Sequence, residues 1–459
     1  MNDINVVVLA AGNGSRMKST LPKVLHNVAG KAMIDWVLDA VLPLKPDRLI
    51  TVTGVGSQAV RNHVGDKSRF VTQEVQQGTG HAVQQAYPEL KDSQGITLIM
   101  SGDTPMFRSE SLADFVEEHR RSNNTVTVLT AHAENPTGYG RIVRADDGTI
   151  LKIVEEKDAS VTERRIQEIN TGVYVFDNQL LFEALSRVNN DNVQSEYYLP
   201  DTLDILRTMG YQIGAYQIQD FTESLGVNDR VALSVANKIM RQRINRQHML
   251  NGVEFLDPDN TYIDAQVQIG QDTLIEGNVT LQGETVIGTG NHLTAGTRIV
   301  DSRLGNDNVI TSSQIEESEI GNLVTVGPFA HLRPKAVLAN QVHVGNFVEV
   351  KGAEIGEASK VGHLTYVGNA TIGKDVNIGA GTIFVNYDGV HKFHTNVGDR
   401  AFIGSNSKII APVEIADEAI TAAGSTITDD IEKHAMGIAR SRQTNKADFW
   451  KRMPHKKDN

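Results

Sequence analysis

The 459-residue chain contains no cysteine. That excludes disulfides, thiolate metal sites and a cysteine nucleophile, and it fits a reducing compartment. Positive charge is also scarce. The formal net charge is −12 at pH 7, which argues against a nucleic-acid coat or an anionic membrane as partner. A phosphate-bearing substrate therefore needs local basic groups or a metal ion. No run approaches the ~18 apolar residues of a membrane span. The opening "MNDINVVVLAAG" puts no basic region ahead of its short apolar run and leads straight into a glycine turn. It reads as a first strand and not as a signal peptide. The expectation is a cytoplasmic protein with neither a nucleic-acid nor a membrane partner.

What is present is ordinary for a globular chain: 40% hydrophobic and 22% charged residues. The length suggests two or three domains. Residues 1 to about 229 alternate strand-like and helix-like segments. "INVVVLA" (4–10) is a continuous apolar run, as in a parallel strand buried on both faces. Helical spacing follows at 32–44, strands at 48–54 and 96–103, a helix at 109–122 and a strand at 125–133. This alternation predicts an α/β sandwich with a mostly parallel sheet. Residues 228–250 have no Pro or Gly, with Asn228 or Asp229 available as a cap and Gly252 as a stop. They read as a linking helix over 230–250, with a second domain over 251–459.

Past residue 250 the period changes. Aliphatic residues recur every six positions at Ile263, Ile269, Ile275, Leu281, Ile287, Leu293 and Ile299. After a slip the pattern resumes from Ile320 to Val350, and then continues in shorter blocks to Ile415. A period of six fits neither an α-helix nor a simple amphipathic strand. It predicts a left-handed parallel β-helix of about nine coils, each built from three hexapeptides. The stretch "VNYDGVHKFHTN" (385–396) interrupts the pattern. Interruptions in a solenoid map to loops, often on the binding face.

The glycine turn "LAAGNGSRM" (9–17) is built for phosphate but is neither of the two commonest types. A P-loop needs Gly-Lys-Ser/Thr, which is missing. A dinucleotide fingerprint needs a glycine at position 17, which is Met. What remains is a small-residue turn followed by Arg16 and Lys23, which can bring fixed positive charge to a nucleotide's phosphates. The plainer alternative is a tight turn with two solvated basic residues.

With "PK" (22–23), this turn resembles the signature of the sugar-nucleotide pyrophosphorylases. Joined to a hexapeptide β-helix, the chain resembles the bacterial bifunctional N-acetylglucosamine-1-phosphate uridyltransferase/glucosamine-1-phosphate acetyltransferase family along nearly its whole length. Further matching motifs include "QQGTGHA" (76–82), "SGDTP" (101–105), "EINTGVY" (168–174), "GVNDR" (226–230), "GNFVEVKGA" (345–353), "GHLTYVGNATIG" (362–373) and "AAGS" (422–425).

The resemblance implies a Rossmann-like nucleotidyltransferase domain over 1–229. There, Leu9, Ala10, Ala11 and Gly12 with Gln73, Gly78 and Thr79 would hold UTP. Lys23 and Arg16 would face its phosphates. Gly140, Glu155, Asn170 and Asn228 would bind N-acetylglucosamine-1-phosphate, and Asp103 and Asn228 would hold Mg²⁺. A lone Asp after a strand is more often a turn residue, although carboxylate, amide and phosphate oxygens do suit Mg²⁺. The family often has Tyr where this chain has Ser101.

In the β-helix the resemblance implies a site for glucosamine-1-phosphate made by Arg333, Lys351, Tyr366, Asn377, Asn386 and Tyr387. Acetyl-CoA would meet Ala380, Asn386, Tyr387, Ser405, Ala423 and Arg440. His363 would be the general base, with Glu349 orienting it. Read alone, His363 could equally fill a coil corner as any polar residue does. His343, His391 and His394 have no metal-ligand spacing. The basic end, with Arg440, Arg442, Lys446, Lys451, Arg452, Lys456 and Lys457, reads as solvated, apart from a reach of Arg440 to the CoA phosphates. The implied assembly is a homotrimer. The implied product, UDP-N-acetylglucosamine, supplies peptidoglycan and other envelope precursors. Two alternatives stay open: a monofunctional pyrophosphorylase whose β-helix regulates or oligomerises, and a non-enzymatic regulator.

Overall fold

The computed structural model describes residues 3–12 and 14–454. Asn13, Lys456 and Lys457 lie outside the described residues. The chain divides into two compact units, Met1–Arg243 and Ile244–Asn459. The division falls inside one helix, Arg230–Leu250. The Asp229 carboxylate caps that helix by accepting from the Ala232 N–H at 2.8 Å, and Gly252 follows its end at φ +94°.

The first unit is an α/β fold around one twisted sheet. From edge to edge the strands are Ile213–Gln217, Val126–His132, Glu168–Asp177, Ile96–Ser101, Ile4–Ala10, Arg48–Gly54 and Arg69–Gln73. Ile4–Ala10 pairs in parallel with both neighbours. Its residues Val6, Val7 and Val8 are fully buried, as a strand covered on both faces requires. One strand, Glu168–Asp177, runs against its neighbours. Two further strands, Gly140–Arg144 and Ile150–Val154, extend from it as an antiparallel flap. The helix Ser109–Ser122 matches its sequence pattern: Leu112, Phe115, Val116 and His119 form its buried stripe.

The second unit is the expected left-handed parallel β-helix. Its short strands stack into three sheets of 11, 10 and 9 strands, so the coil count exceeds the nine expected at two of the three faces. Every strand pair in these stacks is parallel and most strands are two or three residues long. In most of these strands one aliphatic side chain points into the prism, and Ile275, Leu281, Leu293, Ile299 and Val350 are all fully buried.

The slip in the sequence pattern has a simple cause. Leu274 pairs with His292, a full three-hexad coil, but Leu304 pairs with Ile320 and Ile310 with Val326. Coils in that stretch lose one or two corner residues, and Leu304, Ile310 and Ile315 carry the core there. The interruption at 385–396 is a loop, closed by a bridge between Tyr387 and Lys392. The frequent Ile-Gly pairs mark close approach between coils: a Cβ on Gly288 would lie 2.5 Å from the Gly305 carbonyl oxygen.

Candidate active sites

In the first unit a cleft of ≈ 770 Å³ opens at the C-terminal end of Ile4–Ala10, where open α/β sheets place their ligands. Leu9, Ala10, Ala11, Gly12, Lys23, Gln73, Gly78, Thr79 and Asp103 all line it. Gly78 has φ +105°, and a Cβ there would sit 2.6 Å from the Tyr197 carbonyl oxygen, so only glycine fits. The Gln73 side chain is buried and donates from Nε2 to the Gly78 carbonyl at 3.1 Å, which leaves Oε1 as the atom not used in this bond.

At the mouth of the cleft four residues from distant parts of the sequence converge. The Lys23 ammonium pairs with the Asp103 carboxylate and donates to Asn228 Oδ1 at 2.6 Å. Arg16 donates to the same oxygen at 3.0 Å. The backbone fixes this approach, because the Val227 N–H donates to the Asp103 carbonyl at 2.9 Å. A carboxylate and an amide oxygen thus face one cationic point, and this donor set fits Mg²⁺ completed by phosphate and water oxygens. Among the described residues no group of three or more His, Asp or Glu side chains could hold a metal alone.

A second cleft of ≈ 620 Å³ shares Leu9, Thr79 and Ser101 with the first and adds Gly140, Glu155, Asn170 and Tyr174. Gly140 pairs with Asn170 across the antiparallel flap, and a Cβ on it would lie 3.2 Å from Glu155 Oε1. Asn170 Oδ1 accepts from Tyr174 Oη at 2.9 Å and from the Gly172 N–H at 3.0 Å. Its amide nitrogen, with two hydrogens to donate, is the end left to face a ligand. Burial, then the charges of Asp201 and Asp158, push the Glu155 carboxyl above its usual range, and Arg141 partly opposes them. Burial also pushes Asp201 up to about 6. Sequence reading missed Glu196 and Gln76, which line the first cleft. Gln76 had a signal, since it stands in the quoted "QQGTGHA".

In the β-helix three of the expected acetyl-CoA residues, Ala380, Ser405 and Ala423, form a column with His363 up one corner of the prism. His363, Ala380, Ser405 and Ala423 each stand two residues past the core position of their coil, after Val361, Ile378, Ile403 and Thr421, which stack in register. Backbone bonds tie the column together. The Gly381 N–H donates to the His363 carbonyl at 3.1 Å, Asn406 to Ala380 at 2.7 Å and Gly424 to Ser405 at 2.9 Å. Arg440 stands in the next coil up, within reach of a Cβ built on Gly424 at 3.8 Å.

Arg333, Glu349, Lys351 and Tyr366 lie on or beside one face of the prism, where Glu349 is opposite Tyr366. Asn377 is on the neighbouring face. Asn386 is buried and donates to Asn369 Oδ1 at 2.6 Å, and Tyr387 is exposed on the inserted loop.

The structure separates Glu349 from the role expected of it. Its carboxylate is bonded to Arg333 at 2.6 Å, and this pairing raises the Arg333 pKa. His363 Nδ1 instead meets Asn346 Oδ1 at 2.8 Å. Glu349 is one coil below Tyr366, whereas Asn346 is one coil below His363. The other histidines are dispersed: His343 meets Thr325, His394 meets Thr371 and His391 pairs with Asp388.

Fold and sites together define a class, a nucleotidyltransferase joined to a hexapeptide-repeat transferase. Residues 5–221 match the nucleotidyl transferase family and residues 394–429 the bacterial transferase hexapeptide family of six repeats. The chain is 57% identical over 453 residues to "Bifunctional protein GlmU" of Lactobacillus helveticus, covering 99% of this chain and 98% of that protein. It is 55% identical over 449 residues to the protein of the same name from Streptococcus agalactiae, covering 98% of each. The chain belongs to the bifunctional GlmU family, and it is a two-activity transferase of the kind its motifs resemble. Among the described residues no helix is long and apolar enough to cross a membrane.

Proposed function

We infer that the two sites act in sequence to make UDP-N-acetylglucosamine. In the β-helix, the free amine of glucosamine-1-phosphate attacks the thioester carbonyl of acetyl-CoA. A C–N bond forms and the C–S bond breaks; His363 takes the proton released by the amine and returns it to the departing CoA thiolate, so CoA leaves as its thiol. With no cysteine in the chain, direct transfer needs no acyl-enzyme. Arg333 and Lys351 supply charge for the sugar phosphate, and Arg440 supplies it for CoA.

In the first unit, a phosphate oxygen of N-acetylglucosamine-1-phosphate attacks the α-phosphorus of UTP and pyrophosphate leaves. Asn170 and Glu155 hold the sugar, and Gln73 with the Leu9–Gly12 turn holds the uridine. Lys23 and Arg16 compensate the charge that spreads over the phosphates as the bond to pyrophosphate lengthens. Mg²⁺ held by Asp103 and Asn228 supplies Lewis-acid neutralisation of phosphate charge when bound. The observation that carries this reading is the convergence of Asp103, Asn228, Arg16 and Lys23 beside a cleft that shares its wall with the sugar subsite.

The active form is a cytoplasmic homotrimer. Support comes from the corner that bears His363. Beside it Leu364, and in the coils below it Phe347 and Phe329, project into solvent, the two phenyl rings stacked at 5.7 Å. An exposed apolar ridge of this kind suits burial by a further copy of the chain. The product feeds peptidoglycan and other envelope polymers and so supports cell shape.

His363→Ala tests the division of labour. Acetyl transfer is expected to fall 10²- to 10⁴-fold, the usual cost of losing a general base, while uridylyl transfer from supplied N-acetylglucosamine-1-phosphate stays at the wild-type rate. Acetylation within a few-fold of wild type removes His363 from the mechanism.

A further inference from the structure

We propose that Asn346 is the positioning residue for the acetyl-transfer base, holding His363 in the tautomer whose Nε2 is free to accept a proton. The inference rests on His363 being the base. Asn346 and His363 are register partners on neighbouring strands, His343–Asn346 and Lys360–His363. Their side chains therefore leave the same corner of the prism, one coil apart. The Asn346 amide oxygen is 2.8 Å from Nδ1. A carbonyl oxygen only accepts, so the neutral ring must carry its proton on Nδ1 and leave Nε2 as the basic atom.

The rest of the corner is arranged to keep the ring in this place. The His363 carbonyl accepts from the Gly381 N–H at 3.1 Å and from the Thr365 hydroxyl at 2.7 Å. The Asn346 carbonyl accepts from the Leu364 N–H at 3.1 Å. Both backbones are thus pinned between coils, and the side-chain bond is what sets the ring's rotation and tautomer. Among the described residues, Nε2 meets no partner. The Asn346–His363 pair stands at the foot of the column formed by Ala380, Ser405 and Ala423, so Nε2 is fixed next to the groups expected to hold acetyl-CoA. Glu349, which would do this work through a carboxylate, is bound to Arg333 instead.

A neutral amide in this role has a chemical consequence. It fixes the tautomer and the ring's rotation without adding a negative charge beside the ring.

The test is a double-mutant cycle on the full-length protein, read by acetyl transfer from acetyl-CoA to glucosamine-1-phosphate. Asn346→Leu is expected to lower kcat about tenfold, the scale of one net hydrogen bond, with little change in KM for either substrate. Asn346→Asp keeps an acceptor at the same place and is expected to stay within about threefold of wild type on the same scale. In the His363→Ala background, Asn346→Leu is expected to cost nothing further, because its effect passes through the ring. Uridylyl transfer serves as the folding control and stays unchanged in all variants. Equal losses from Asn346→Leu with and without His363, or failure of Asn346→Asp to restore activity, would overturn the positioning role. Wild-type acetylation by His363→Ala alone would instead overturn the assignment of the base on which the proposal rests.

Discussion

Asp103→Asn removes one charge and almost no volume from the uridylyl-transfer site. Lys23 loses its carboxylate partner but keeps Asn228 Oδ1 at 2.6 Å, and Arg16 keeps the same oxygen, so the loop geometry has reason to persist. The side chains of Lys23 and Asp103 are only 12% and 21% exposed. Water therefore screens them weakly, and the lost charge counts for more than it would on an open surface. Two effects act in the same direction: a hard-cation ligand becomes a neutral amide, and Lys23 is no longer held by an ion pair. Removing one preorganised electrostatic group of this kind costs about 10²- to 10³-fold in kcat. The assay is pyrophosphate release from UTP and N-acetylglucosamine-1-phosphate over a series of Mg²⁺ concentrations. The variant is expected to need more Mg²⁺ and to recover only in part at saturation, with acetyl transfer unaffected. A wild-type rate at limiting Mg²⁺ would refute the metal assignment and the charge argument with it.

Further outcomes follow from the same structure. A fragment of residues 1–229 is expected to keep uridylyl transfer and to sediment as a monomer, against a trimer for the full chain; a trimeric or unfolded fragment contradicts the proposed boundary. Burial raises the Asp201 pKa to about 6, so the folded state holds a proton that the unfolded chain releases from about pH 4 upward. Stability from this group therefore falls as pH rises from about 4 to 6 and stays lower above. Asp201→Asn is expected to melt above the wild type at pH 7.5 and level with it near pH 3.5; no difference at pH 7.5 contradicts the shift. Leu293 is fully buried in the prism, and Leu293→Ala is expected to destabilise the β-helix by about 2–5 kcal/mol, read as a lower denaturation midpoint for that unit alone.

Much of this molecule is legible in the sequence because its two units obey simple periods. The apolar run 4–10 and the helix 109–122 coincide with elements of the structure. The six-residue period marks the β-helix because every sixth side chain must enter the prism. It fails between Ile299 and Ile320 because the coils there drop corner residues, which shifts the phase without disturbing the core. The antiparallel strand Glu168–Asp177 is not legible, since strand direction leaves no mark on an apolar run.

The sites divide in the same way. Small-residue turns and basic residues near a strand end can be read locally. The meeting of Asp103 with Asn228 cannot, because it depends on how a loop after one strand returns beside another. Asn346 was within reach: it lies 17 residues before His363, one coil in this part of the chain. Glu349 drew attention as a carboxylate, but register and not residue type decides which side chains stack.

The most direct measurement is a single incubation of the purified protein with glucosamine-1-phosphate, UTP, Mg²⁺ and acetyl-CoA, followed by mass analysis of the sugar nucleotides. UDP-N-acetylglucosamine is expected to form, and to disappear when acetyl-CoA is left out. No UDP-N-acetylglucosamine from this mixture, while added N-acetylglucosamine-1-phosphate is still converted, would contradict the account and leave a pyrophosphorylase with an inactive β-helix.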